Sequence, residues 1–204
     1  MLDLRHIAVR YRLSKIDTES LVRVADTLLA EGRDTPAVVQ LSILEPPIMA
    51  DAAPLFERAC TELGVQIPNK DDAVDELLRA YLESIASGTR PAREGLEAVM
   101  REVYYPYFSD TPCKKYAGDS HGFEHLIGLY WGYDDLMEHQ RQVSCDGKYG
   151  AEAITRWEEL VRLQAGDWLQ SMTKRPNTAL TRLPLAVPLS RSTSEFERGS
   201  ILRH

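Results

Sequence analysis

Residues 18–40 read TESLVRVADTLLAEGRDTPAVVQ. Leu21, Val24, Ala25, Leu28 and Leu29 recur at i, i+3, i+4, i+7 and i+8, which puts them in one stripe of a helix running from about Thr18 to Glu31. Gly32 stands where a helix exit takes a left-handed residue. Thr35 can then accept from the amides of a second helix. Its first position is Pro36, where a missing N–H is harmless. This grammar of a short stripe, a Gly stop, a polar cap and a Pro start recurs along the chain.

Pro46-Pro47 ends the second helix, because the residue before a proline avoids helical dihedrals. Asp51 starts a third, through Leu55, Phe56, Ala59 and Leu63, closed by Gly64. Asn69 caps a fourth, with Val74, Leu77, Leu78, Tyr81, Leu82 and Ile85 inward and Gly88 as its stop. Pro91 opens a fifth, striped by Leu96, Val99, Met100 and Val103. A sixth spans His121–His139, and a seventh spans about Ala151 to Met172 on Ile154, Trp157, Val161, Ala165 and Trp168. The predicted fold is all-α: an irregular bundle of about seven short to medium helices with an extended C-terminal tail.

Three stretches lie outside this pattern. Residues 1–16 alternate weakly, with Ile7, Val9, Tyr11 and Leu13 on one side, and read as an N-terminal arm or short strand. Residues 104–119 (YYPYFSDTPCKKYAGD) have two prolines, four tyrosines and no period, and read as a long loop. Residues 174–204 contain Pro184 and Pro188 and no helical stripe, and read as a basic tail after a helical domain of residues 17–173. Cys145-Asp146-Gly147-Lys148 has the composition of a tight hairpin turn.

The chain has 204 residues and a net charge of −7. The tail holds six basic and two acidic groups, so residues 1–173 carry −11. An acidic body argues against binding nucleic acid or an anionic membrane surface, since both require clustered Lys and Arg. No run approaches the apolar length of a membrane span, and the charged N-terminus lacks the core of a signal peptide. Cys60, Cys113 and Cys145 are odd in number and form no C-x-x-C pair, as expected of reduced thiols in the cytosol.

The segment HGFEHLIGLYWGYDDLMEH, residues 121–139, is where chemistry could sit. As one helix it would place Phe123, Leu126, Ile127, Tyr130 and Trp131 on one side. His121, His125, Gly128, Gly132, Asp135 and His139 would fall on the other. His121-Gly-Phe-Glu124-His125 matches H-x-x-E-H, in which two His bind zinc and the Glu acts as base. Asp135, His139, or one of Glu152, Glu158 and Glu159 could complete such a set, which would make a divalent-metal-dependent hydrolase. The same stripe can instead face solvent. Gly128 and Gly132, costly inside a helix, imply either close approach of another helix or a break in this one.

Asp71-Asp72-x-x-Asp75 and Asp134-Asp135-x-x-Glu138 both fit D-D-x-x-D/E, the pattern with which isoprenoid synthases hold magnesium. The likeness is confined to these strings, and Asp71 and Asp72 already suit a helix N-terminus. There is no G-x-S-x-G elbow and no Gly-rich phosphate loop. The expectation is therefore no catalytic set and no cofactor. The densest aromatic group spans Tyr104 to Tyr133, and its commoner role is core packing. As a binding surface it offers Tyr105, Tyr107, Phe108 and Tyr116, with Asp134 and Asp135 as acidic neighbours.

Residues 20–105 resemble a pattern in uncharacterised bacterial proteins. The first helix ends in Gly32-Arg33-Asp34-Thr35-Pro36, a later one in Glu62-Leu63-Gly64, and another in Ile85-Ala-Ser-Gly88. The pattern is similar in style to small helical immunity proteins that neutralise a toxin by binding it. It is made of helix punctuation and assigns no functional residue. The resemblance and the acidic body together imply a protein-binding protein with a basic partner. A homodimer that exchanges basic tails across acidic bodies is a further option.

Overall fold

The computed structural model describes residues 2–112, 114–119, 121–139 and 142–174. Among them are eight α-helices and one π-helix. These are α1 (Leu4–Arg12), α2 (Thr18–Ala30), α3 (Pro36–Ser42), α4 (Met49–Glu62), α5 (Lys70–Ala86), α6 (Ala92–Val99), the π-helix (Met100–Phe108), α7 (Glu124–Glu138) and α8 (Gly150–Lys174). The seven helices anticipated from periodicity correspond to α2–α8. The reading of residues 175–204 as a tail lies outside the described residues.

The caps form as the side chains dictate. Asp17 accepts from the Ser20 amide, Thr35 from Val38 and Asn69 from Asp72. Each such cap is worth about 1 kcal/mol. Glu62 of α4 accepts from the Ala37 amide at 3.0 Å, so α4 also satisfies a free N–H in the first turn of α3.

The stretch expected as a strand or arm is the helix α1, which separates two apolar clusters. Leu4 and Ala8 pack with Leu21, Leu28, Val38, Leu41 and Phe56 from α2–α4. Val9 and Leu13 pack with α5–α8 through Leu77, Leu82, Leu96, Trp157 and others. A helix buried on two sides has apolar residues at too many angles to show one stripe, so its pattern passes for alternation. Polar contacts fix it in place. Arg5 pairs with Glu76, and Arg12 donates to the Pro68 carbonyl at 2.7 Å. Arg10 and the Tyr81 hydroxyl both donate to Glu102, at 3.3 and 2.8 Å.

Part of the expected 104–119 loop is the π-helix, which continues α6 without a break. The Ser109 amide bonds five residues back to the Tyr104 carbonyl at 2.9 Å. Its wider turn carries Pro106, the residue that makes the segment read as a loop, and it buries Met100, Val103 and Tyr104. The Cys145–Lys148 hairpin closes with amide bonds of 2.9 and 3.0 Å in both directions. Asp146 at φ 51° and Gly147 at φ 75° give the primed turn expected of an Asp-Gly pair.

This turn makes α7 and α8 antiparallel neighbours. The Trp157 indole donates to the Leu129 carbonyl at 2.9 Å, and the Trp168 indole donates to the His121 carbonyl at 3.1 Å. One number falls as the other rises. No described helix is long and apolar enough to cross a membrane.

Candidate functional site

The segment from 121 to 139 is not one continuous helix. Gly122 takes φ 74°, and α7 begins only at Glu124, after Phe123 as its N-cap. A left-handed residue inside H-x-x-E-H breaks the geometry that would stack two imidazoles one turn apart. His121 instead packs its ring on Phe108, centroids 4.0 Å apart. It lines a cleft of about 310 Å³ with Lys70, Asp71, Asp75, Pro106 and Tyr107. His125 is on α7 with its side chain 75% exposed, and Asp135 and His139 are also exposed. Among the described residues, no three His, Cys, Asp or Glu side chains are grouped so as to hold a metal ion. Ser120, whose sequence position suits a cap, lies outside the described residues.

Gly128 and Gly132 answer to neither expectation. The helix runs through both, and a Cβ built on either meets nothing within 4 Å. They open space rather than admit a neighbour. Gly128 lines a groove of about 710 Å³ between α7, α8 and the 116–117 turn. Ile127, Leu129 and Leu160 supply its apolar lining, with the rings of Tyr116 and Trp131. Glu124, His125 and Gln164 add polar groups. Trp131 is 51% exposed and Tyr116 57%, large apolar areas to leave in water. Trp131 belongs to the apolar side of α7 in the helical projection, yet α8 covers only part of that side.

Tyr116 is held in place by a carboxylate. Asp119 accepts from the amides of Lys114, Lys115 and Tyr116 at 2.9, 2.6 and 2.9 Å. The bonds from Tyr116 and Lys114 contribute most to bringing the Asp119 pKa down to about 2. Gly118, at φ 81°, lies so close to Ile127 that an added Cβ would collide with Ile127 Cδ1. The turn is thereby pressed against α7 at the groove's edge.

The six residues anticipated for partner binding fall in separate places. Tyr107 and Phe108 are half-buried in the His121 cleft, where Lys15 and Lys70 approach the Tyr107 ring at 5.7 and 5.5 Å. Tyr116 is at the groove. Tyr105 is exposed on the π-helix. Asp134 and Asp135 are exposed on α7, and Asp134 pairs with Arg93 at 3.6 Å. The two D-D-x-x-D/E strings stay apart. Asp72 is engaged with the Asn69 cap, Asp71 and Asp75 line the cleft, and the second string is solvated on α7. Burial raises the Asp75 pKa, with Asp72 adding to the effect.

Burial pushes the Cys60 thiol up to about 11 and also raises Cys145, so neither is poised as a thiolate. Cys113 lies outside the described residues. Sequence reasoning missed Leu160 and Gln164 as groove residues. Gly128, which lines the same groove, was the signal for them. Comparisons with protein-family models, with curated proteins and with solved structures each find no match.

Proposed function

We propose that this chain acts by binding another protein, and that the α7–α8 groove seats an apolar segment of that partner. The observation that carries this reading is the pairing of an exposed indole, Trp131, with an exposed phenol, Tyr116, at an apolar groove of about 710 Å³. Tyr and Trp supply large contact areas at small entropic cost and dominate binding hot spots. The acidic body, with Asp134, Asp135 and Glu138 exposed on α7, favours a partner with a basic face. Neutralising a toxin by direct binding, in the manner of small bacterial immunity proteins, is the form of this function that the helix punctuation and charge support. It requires no cofactor and suits a cytosolic protein with reduced thiols.

The test is capture of a stoichiometric partner from lysate of the source organism, with wild-type protein and Trp131→Ala compared. A basic partner retained by the wild type and lost by the variant is the expected result. A partner retained equally by both, or none at all, overturns the reading.

A further inference from the structure

We propose that the groove is also a receptor for the chain's own residues 183–189, so that the basic C-terminal segment masks it in cis. The segment reads LPLAVPL, seven residues without a polar side chain. Its composition matches an apolar groove flanked by two aromatic rings, the kind of surface that receives proline-containing segments. Pro184 and Pro188 each fix a backbone dihedral in advance, which lowers the entropy lost on docking.

Reach is satisfied. The groove touches α8 at Leu160 and Gln164, and α8 runs to Lys174. At about 1.5 Å of rise per residue, the chain leaves α8 roughly 15–21 Å from the groove. Extended backbone covers that return in about five to seven residues at roughly 3.3 Å each. Counted from Arg175, seven residues end at Thr181, so the chain can return to the groove before the apolar run begins at Leu183.

Charge is complementary. Residues 174–204 carry +4 against −11 on the remainder. Arg182 directly precedes the apolar run. Glu124 lines the groove and supplies a carboxylate there for a guanidinium to approach. The docking stands without any external partner. Competition between the segment and a partner rests in addition on the proposed function.

Amide exchange of the full-length chain tests this directly. Leu183, Leu185, Ala186, Val187 and Leu189 are expected to exchange at least about tenfold more slowly than free peptide. Gly128→Leu, which fills the groove, should return them to the free-peptide rate. Leu185→Asp with Val187→Asp alters no residue of the described helices and serves if Gly128→Leu fails to fold. In that double variant, acrylamide should quench Trp131 more strongly than in the wild type. Free-peptide exchange in the wild type, or Trp131 quenching unchanged in the double variant, overturns the proposal. So does protection that appears only as the protein dimerises, since a second copy would then fill the groove. Because partner capture is a separate assay, failure of one reading leaves the other standing.

Discussion

The Trp157 indole nitrogen lies 2.9 Å from the Leu129 carbonyl oxygen, joining the N-terminal third of α8 to α7. Its ring also packs on Tyr133, centroids 4.5 Å apart, and the residue is only 3% exposed. Trp157→Phe removes the donor and leaves a backbone acceptor without this partner. The expected loss is about 1–3 kcal/mol, combining the hydrogen bond with lost volume. Urea denaturation of both proteins, compared at equal slope, measures it.

Gly95 of α6 sits where any side chain would collide with Ile85 of α5. A Cβ there would fall on Ile85 Cγ1 and come within 2.9 Å of Cδ1, and Ile85 is fully buried. Gly95→Ala should therefore destabilise by about 1–3 kcal/mol through overpacking, despite alanine's better helix propensity. A raised thermal midpoint would count against the α5–α6 packing described above.

Gly128 is the opposite case, because a Cβ there meets nothing within 4 Å and its backbone is helical. Gly128→Ala should stabilise α7 by up to about 1 kcal/mol. Chemical denaturation gives the sign. The contrast between two helical glycines separates a packing role from an open groove.

Asp119 links the groove's edge to pH. Amide bonds from Tyr116 and Lys114 lower its pKa from the ordinary 3.8 to about 2. A carboxyl with a depressed pKa stabilises the fold above its ordinary value and loses that contribution as pH falls through its folded value. Order in the 114–119 turn should thus hold near pH 5 and decline from about pH 4 to about pH 2. The quenching of Trp131, which lines the same groove as Tyr116, is the readout. Asp119→Ala should show the low-pH behaviour already at pH 7, and a wild-type profile flat to pH 2 would contradict the assignment.

The sequence was sufficient for helices whose burial is one-sided and whose ends are marked. Leu21, Val24, Ala25 and Leu28 form a stripe because α2 meets the core on one face, and Thr35, Asn69 and Gly64 mark ends through their own hydrogen bonding or backbone freedom. It was insufficient where burial is two-sided or where a helix carries a residue that usually ends one. In α1, Leu4 and Val9 answer to two different clusters, and the π-helix runs on through Pro106 to Phe108.

The candidate site divides along the same line. Residue types alone singled out His121, His125, Tyr116 and the two glycines, since each is conspicuous locally. Only the tertiary structure decided that Gly122 turns His121 away from α7 into a cleft with Phe108, and that Gly128, Trp131 and Leu160 border one groove. Local hydrogen bonds and one-face burial are written within a few residues of chain. The meeting of α7 with α8 depends on a hairpin and on indole bonds spanning 28 and 47 residues, and no local pattern encodes that distance.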